Sequence, residues 1–216
     1  MRHILAFGAH PDDIELGCGG TLRKHVHAGH KVYLCVLCDG QEAGDPKTRR
    51  KEQEEAAKRL GATELIWGDW QDTKFVVGKE SVRFIEDVIA KVNPYEIYVN
   101  YIEDTHQDHR VLAQCVMSAA RYNKRVLFYE DYTSINFQPD IFVDIKDVLD
   151  EKMEVIKVFE SQVSRTYPTG PKMLDGIRAI AQFRGFQARI HYAEAFKAVR
   201  YLKLDIEKEE FVSKKK

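Results

Sequence analysis

One imidazole and two carboxylates are gathered near the amino terminus, in the segment Ala9-His10-Pro11-Asp12-Asp13. Carboxylates this close together repel one another, and a cation between them relieves the repulsion. Histidine and aspartate side chains are also zinc ligands in many proteins. The types and spacing of these residues therefore predict a metal site.

A second polar cluster follows much later in the chain and supplies two imidazoles and a carboxylate: His106, Asp108 and His109. His10, Asp13 and His109 would together make a site of three nitrogen and oxygen ligands with room for a water. Three protein ligands and an open position are typical of catalytic rather than structural zinc. The acid–base groups that remain beside this site are Asp12, His106 and Asp108.

Two short apolar runs must position these clusters. The first run, His3–Gly8, is predicted to be a buried strand that Pro11 ends, and a helix is predicted at residues 14–29. The second run, at residues 96–101, is predicted to be a strand that leads into the second cluster. Ligands of an open parallel sheet bind outside the carboxyl ends of its strands. We therefore expect both clusters to face one crevice.

The rest of the chain alternates between predicted strands and helices. Further strands are predicted at residues 31–38, 64–68, 126–130 and 141–145, and further helices at residues 48–60, 81–92, 109–122 and 148–161, with a last helix that ends near residue 189. This alternation favours right-handed crossovers. We expect an α/β fold with a Rossmann-like, mostly parallel sheet, helices on both faces, and C-terminal strands added as a hairpin or strand pair at residues 190–202. Residues 1–206 are predicted to form a single domain, and residues 207–216 a charged, flexible tail.

Composition narrows the classes of protein to consider. The 216 residues are 44% hydrophobic and include 33 basic and 34 acidic side chains. This balance fits a globular protein with no nucleic-acid or membrane partner. Because a strand begins almost at once after Met1, we expect no signal peptide and a cytoplasmic location. The four cysteines lie in predicted strands or helices, so free buried thiols are expected rather than disulfides.

The ordered pair of motifs resembles a known family. Ala-His-Pro-Asp-Asp near the amino terminus, followed by His-Gln-Asp-His at residues 106–109, is similar to the PIG-L/LmbE-like zinc-dependent N-deacetylases. The resemblance extends from the first strand to Tyr-Ala-Glu-Ala-Phe at residues 192–196. It is strongest to small bacterial and archaeal members that act on N-acetylglucosaminyl malate or chitin-derived sugars. It implies a small amino-sugar substrate, zinc or another divalent metal, and a homo-oligomer.

The two clusters and the resemblance together suggest removal of an N-acetyl group by hydrolysis. Zinc held by His10, Asp13 and His109 would lower the pKa of a water toward neutrality. Asp12, which adjoins a ligand, would take a proton from that water as the general base. The product would be acetate and a free amine.

The resemblance also implies roles for residues around the metal. His106 would support the oxyanion or protonate the departing amine, and Asp108 would orient it. Arg50 matches a substrate-contacting arginine of the family, and an arginine can hold a carboxylate or phosphate by two parallel hydrogen bonds. Glu42 lies in a loop that resembles the family's loop beside the site. Tyr192 matches a tyrosine of the same pocket.

Less specific interpretations of these residues stay open at this point. Asp12 and Asp108 would also suit helix caps, Arg50 belongs to a charged surface run, and Tyr192 would equally pack in the core. The enzyme alternative is a metal-dependent hydrolase of another bond, such as a phosphoester, and the non-enzyme alternative is a metal- or nucleotide-binding module on the same fold. A solvated helix end rather than a metal site is expected for a third group of histidines: His25, His27 and His30.

Overall fold

The computed structural model describes residues 1–165, 170 and 172–203. Within them, one seven-stranded sheet is formed by β1 (His3–Gly8), β2 (Lys31–Cys38), β3 (Glu64–Trp70), β4 (Glu96–Asn100), β5 (Arg125–Tyr129), β6 (Ile141–Asp144) and β7 (Ala193–Tyr201). The strand order is β3-β2-β1-β4-β5-β7-β6. Central strands of a parallel sheet are covered on both faces, which explains why β4 and β5 are buried along their whole length.

The direction of the strands divides the sheet into two parts. β3, β2, β1, β4 and β5 run parallel to one another. β7 pairs antiparallel with both β5 and β6. Because β1 lies between β2 and β4, the order of the strands reverses beside β1. In folds of this kind the crevice at such a reversal binds ligands.

Helices cover both faces of the sheet: α1 (Asp13–His27), α2 (Pro46–Leu60), α3 (Lys79–Val92), α4 (Gln107–Ala119), α5 (Leu149–Ile156), α6 (Glu160–Val163) and α7 (Met173–Ala188). α3 and α4 pack on one face, and α1, α2 and α5 pack on the other. The stripe of Ile85, Val88 and Val92 on α3 shows the helical spacing that turns one apolar side toward the sheet. α7 shares a smaller apolar cluster with α1 and α5.

Helix α1 lies very close to the sheet because a glycine stands on its buried face. A Cβ atom on Gly17 would lie 2.1 Å from the ring of Tyr129. Glycine weakens an isolated helix, but only glycine permits this approach. The Tyr129 hydroxyl lies 2.9 Å from both Phe7 O and Asn100 Oδ1. The first helix is therefore seated directly over the strands that end at the crevice.

A buried ion pair between α5 and β7 also contacts the backbone of α1. The Lys152 ammonium donates hydrogen bonds of 2.7 Å to Glu194 Oε1 and to Leu16 O. The Glu194 carboxylate also accepts hydrogen bonds from the backbone N–H groups of Gly20 and Thr21, at 2.8 and 2.6 Å. Buried charges are costly unless they are paired and hydrogen-bonded. These contacts therefore fix α1, α5 and β7 against one another.

The predicted fold class is confirmed, while two element predictions differ from the structure. The C-terminal segment predicted as a hairpin or strand pair forms one strand, β7, because it is inserted between β5 and β6 and pairs with both. The helix predicted at residues 148–161 is divided into α5 and α6 by a turn around Phe159, whose side chain is buried in the core.

Two further expectations can be compared with the described residues. All four cysteines are buried free thiols. Among the residues described, none of the helices has the length and apolar character that crossing a bilayer requires. The tail predicted at residues 207–216 lies outside the described residues.

Candidate active site

A cavity of about 300 Å³ opens at the carboxyl ends of β1 and β4. Residues from both polar clusters line it, together with residues from four other parts of the chain: His10, Asp12, Asp13, Gly40, Glu42, Ala43, Arg49, Asp72, Thr73, His106, His109, Asp131, Tyr132, Thr133, Gln162, Arg165 and Met173. The crevice expected from the two strand ends is therefore present, and both clusters face it.

The two clusters meet at the Asp13 carboxylate. Asp13 Oδ2 lies 3.2 Å from His109 Nε2 and 3.8 Å from His10 Nδ1. The same oxygen accepts hydrogen bonds from the backbone N–H of His10, at 3.0 Å, and from Asn100 Nδ2, at 3.2 Å. Asp13, His10 and His109 are each less than 8% exposed. Two imidazoles and a carboxylate in contact are a donor set that suits a zinc-like divalent ion.

Outer carboxylates determine which nitrogen of each imidazole faces Asp13. His10 Nε2 lies 3.0 Å from Asp72 Oδ1 and 3.3 Å from Asp108 Oδ2. His109 Nδ1 lies 3.2 Å from Asp104 Oδ2. These partners leave His10 Nδ1 and His109 Nε2 directed at the shared centre. Metal-ligating histidines commonly have such a carboxylate on the other ring nitrogen.

The same contacts shift the pKa values of the two histidines. Burial lowers the pKa of His10, but the hydrogen bonds to Asp108 and Asp72 outweigh burial and raise it to about 9. Burial likewise lowers the pKa of His109, and Asp13 and Asp104 reverse the effect and raise it well above its ordinary value. The carboxylates around both imidazoles therefore favour positive charge at this centre.

Asp12 occupies a strained position between β1 and α1. Its φ of 93° lies in the left-handed region, and its side chain makes no capping hydrogen bond. The carboxylate instead lines the cavity, with Asp12 Oδ2 3.7 Å from Arg49 Nη1. Burial raises the pKa of Asp12 well above its usual range, while the Arg49 guanidinium opposes the shift. The Asp12 side chain therefore faces the cavity and does not cap the helix.

His106 is the N-cap residue of α4 and lines the cavity. Its Nδ1 accepts a hydrogen bond of 3.2 Å from the backbone N–H of Asp108. The neutral ring therefore has its proton on Nε2 and is able to donate from that atom. Burial, and then the neighbouring His10, lower the pKa of His106, which favours this neutral form.

The Asp108 carboxylate, which was expected to contact His106, contacts His10 instead. Its Oδ2 accepts hydrogen bonds from His10 Nε2 and, at 2.8 Å, from the backbone N–H of Thr73. Only its backbone N–H contacts the His106 ring. Asp108 therefore orients a residue of the first cluster through its carboxylate and a residue of its own cluster through its backbone.

The three residues expected near the substrate have different positions. Glu42 is exposed and lines the cavity. Arg50 is paired with Asp69 and lies with its guanidinium 4.4 Å from the Trp67 ring, outside the residues that line the cavity. Tyr192 is half-buried and packs against the apolar cluster that α7 shares with α1 and α5.

Arg49, and not its neighbour Arg50, lines the cavity, as does Arg165. Arg49 is 2% exposed, and its Nη2 donates a hydrogen bond of 2.7 Å to Pro11 O. Its Nε and Nη1 atoms are buried without a hydrogen-bond partner. The helical spacing could have revealed it, because Arg49 continues the buried stripe of α2 formed by Gln53, Ala56, Ala57 and Leu60.

Three buried aspartates of the site were not found from the sequence. Asp72 and Asp104 are the outer partners of His10 and His109. Asp131 lines the cavity, and burial followed by the charge of Asp13 raises its pKa to about 7. Each lies in a loop, and carboxylates in loops are too common to indicate a site. Only the fold brings them to the clusters.

The chain matches one family model and is similar in sequence to several known proteins. A family model described as PIG-L, GlcNAc-PI de-N-acetylase, matches residues 5–120. The Escherichia coli K12 protein named uncharacterized deacetylase YaiS is 34% identical over 154 residues, which cover 68% of this chain and 83% of the relative. The diacetylchitobiose deacetylase of Thermococcus kodakarensis is 27% identical over 229 residues, covering 92% of this chain and 84% of the relative.

The same fold is found in a solved structure of an enzyme that is named as a hydratase. The crystal structure of the 4-carboxy-2-hydroxymuconate hydratase from Pseudomonas putida KT2440 has a TM-score of 0.81 to this chain at 22% identity, and covers 95% of this chain and 99% of its own. This likeness concerns the fold alone. The family match is more specific, because its residues include both polar clusters of the site. The chain belongs to the PIG-L family of GlcNAc-PI de-N-acetylase-like deacetylases.

Proposed function

We propose that this protein hydrolyses the N-acetyl group of an N-acetylglucosamine-type sugar or conjugate in a zinc-dependent reaction. The observation that carries the proposal is the meeting of His10, Asp13 and His109 at one cavity, with Asp12 beside them. Membership of the deacetylase family supports the reaction, and the relative named as a diacetylchitobiose deacetylase supports an amino-sugar substrate.

The metal ligands in this proposal are His10 Nδ1, Asp13 Oδ2 and His109 Nε2. The donor set and the outer carboxylates on both imidazoles fit zinc, and another divalent ion would meet the same ligands. When bound, zinc polarises a carbonyl oxygen and makes a water more acidic. Asp72, Asp108 and Asp104 keep the two imidazoles oriented toward the ion.

Asp12 and His106 are the proposed catalytic residues. Asp12 takes the proton of the attacking water, and the Arg49 guanidinium keeps enough positive charge beside the carboxylate to oppose its protonation in the buried site. His106 donates a hydrogen bond from Nε2 to the oxyanion that forms at the acetamide carbonyl, and the proton that Asp12 has taken from the water then passes to the departing amine. Its ring stacks on that of His109, with 4.8 Å between the centroids.

Arg49 and Glu42 are the proposed substrate-binding residues. The Nε and Nη1 atoms of Arg49 have no hydrogen-bond partner, although Nη1 lies 3.7 Å from Asp12 Oδ2, and a sugar hydroxyl or an anionic substituent would satisfy these donors. We assign this role to Arg49 in preference to Arg50, because Arg50 is already engaged by Asp69 and Trp67. The position of Tyr192 in an apolar cluster favours a packing role.

The family match does not favour the two alternative functions that the sequence left open. Neither a phosphoesterase nor a non-catalytic metal- or nucleotide-binding module is supported by the family match, which is to a de-N-acetylase. Homo-oligomer formation, a cytoplasmic location and a single domain over residues 1–206 stay predictions.

The test is acetate release from a panel of N-acetylchitobiose, N-acetylglucosamine and N-acetylglucosaminyl conjugates. We expect at least one member to be deacetylated by the zinc-loaded protein. Asp12→Ala should keep stoichiometric zinc and lose about 10²–10⁴-fold in kcat, because general base catalysis contributes that much. Wild-type turnover by Asp12→Ala would contradict the base assignment. Failure on the whole panel, with zinc bound, would contradict the proposed reaction.

A further inference from the structure

The loop after β3 has a strained turn at the wall of the cavity. Thr73 has a φ of 64°, in the left-handed region. A β-branched residue is rarely found there, and such strain persists only where surrounding contacts hold it. The adjacent Asp72 is 3% exposed, and both residues line the cavity. The contacts that hold this turn therefore show which parts of the site it positions.

The Asp72 carboxylate bridges two parts of the site. Its Oδ1 lies 3.0 Å from His10 Nε2, on the side of the ring opposite to the proposed metal. Its Oδ2 accepts a hydrogen bond of 3.2 Å from the backbone N–H of Glu42. Glu42 belongs to the loop of residues 40–44, which forms another wall of the cavity. One carboxylate thus holds a metal ligand and a substrate-facing loop at the same time.

Thr73 fastens the turn to the second cluster. Its backbone N–H donates a hydrogen bond of 2.8 Å to Asp108 Oδ2, and its carbonyl accepts one of 3.3 Å from Gln107 Nε2. Asp108 also contacts His10 Nε2. The turn is therefore fixed to α4, so that the position of Asp72 depends on the element that holds His109.

We propose that Asp72 is a positioning residue that couples the metal-binding state of His10 to the order of the loop at residues 40–44, and through it to substrate affinity. The inference rests on the proposed metal site, and adds that binding of the ion and binding of the substrate are linked. When His10 is held by the ion, its Nε2–H is fixed toward Asp72, and Asp72 in turn is fixed toward the Glu42 N–H.

Asp108 provides a matched control. It is a second buried carboxylate on the same nitrogen of His10, but the loop residue Glu42 is bonded to Asp72 and not to Asp108. An asparagine at either position has one acceptor oxygen in place of two. At position 72 it satisfies the imidazole or the loop, but not both, whereas at position 108 the contact between Asp72 and Glu42 stays intact.

The experiment compares the wild type, Asp72→Asn and Asp108→Asn by zinc affinity and by hydrogen exchange of the peptide that contains residues 40–44. Both substitutions should weaken zinc binding by about 10- to 100-fold, the usual effect of an outer partner. Added zinc should slow exchange of the loop in the wild type and in Asp108→Asn, and leave it unchanged in Asp72→Asn. At saturating zinc, only Asp72→Asn should raise KM, by about five-fold, as expected for one lost hydrogen bond.

The outcomes separate this inference from the proposed function. If the wild type binds zinc and deacetylates but zinc does not protect the loop, the coupling is wrong and the proposed function stands. Equal loss of protection in Asp108→Asn would also overturn the role of Asp72. A wild type that binds no zinc would overturn the metal site and the coupling together. If Asp72→Asn does not fold, Asp72→Ala is measured in the same way and should lose the same protection.

Discussion

Histidines gather at both edges of the sheet, but their surroundings differ. At the carboxyl edge, His10 is next to two carboxylates, which raise its pKa to about 9. At the amino edge, His25 Nδ1 lies 3.0 Å from His30 Nδ1, and His25 Nε2 lies 3.4 Å from the Tyr98 hydroxyl. Burial and the neighbouring His30 lower the pKa of His25 to about 4. A histidine cluster therefore indicates a cation site only where carboxylates face it.

The two edges of the sheet also differ in which residues have positive φ. Turns before the parallel strands use residues suited to positive φ, namely Gly29, Gly61 and Asn93. At the edge with the cavity, Asp12 and Thr73 have φ values of 93° and 64°. Strain of this kind is common at functional sites, although Asp69 and Arg189 also have positive φ values, of 56° and 64°.

The largest expected effect is that of removing His109 from the carboxyl edge, compared with removing His30 from the amino edge. His109→Ala should lose its bound zinc and at least about 10³-fold in activity, because the proposed metal activates the water and polarises the carbonyl. His30→Ala should keep both. Zinc is measured by elemental analysis after dialysis, and activity by acetate release. A His109→Ala protein with a full equivalent of zinc would remove the contrast between the edges.

A second test asks which positive charge at the cavity edge matters. Arg49→Lys should lower kcat/KM by about 10- to 100-fold, because lysine keeps the charge but lacks the planar set of donors. Arg50→Lys is the matched control on the next residue of the same helix and should stay within about three-fold of the wild type. Equal losses in the two variants would count against the assignment to Arg49.

The amino edge should contribute a pH dependence of stability. The unfolded chain protonates His25 near its ordinary pKa of 6.5, whereas the folded protein does so only near 4. Stability from this group is therefore present above pH 6.5 and is lost as the pH falls toward 4, by on the order of 1–3 kcal/mol. Urea unfolding between pH 7 and 4.5 should show a weaker decline for His25→Asn than for the wild type. Parallel declines would contradict the pKa shift.

The smallest expected effect tests the strain at the cavity edge. Thr73→Gly should raise the free energy of unfolding by about 1 kcal/mol, since glycine adopts positive φ without the steric cost of a side chain. Thr73→Ala is the control and should bring no such gain, because it keeps a Cβ. Thermal and urea unfolding measure the difference. A destabilised Thr73→Gly would show that the threonine side chain supplies more than the backbone strain costs.

The sequence predicts most of the fold and the inner part of the site for a physical reason. His10, Asp12 and Asp13 are neighbours in the chain, so their types alone reveal the cluster. The alternating apolar runs predict the parallel sheet, and the sheet predicts that His109 faces the same crevice. The resemblance to a family adds the reaction, which the spacing of ligands does not specify.

The outer part of the site depends on contacts between distant residues. Asp72 and Asp131 have no local motif, and only loop packing brings them to the cavity. Adjacent arginines on α2 face different directions. The family resemblance indicated Arg50, whereas the buried helical stripe indicates Arg49. The C-terminal segment was predicted as two strands because its pairing with both β5 and β6 is a tertiary property.

The buried pair of Lys152 and Glu194 has a consequence for biosynthesis. The first helix leaves the ribosome long before Glu194 is translated, so during most of synthesis it lacks the carboxylate that holds Gly20 and Thr21. His10 lies in the turn before that helix, and Asp13 is the first residue of the helix. We therefore expect the turn that presents these two proposed ligands to be held in place only after β7 has been translated.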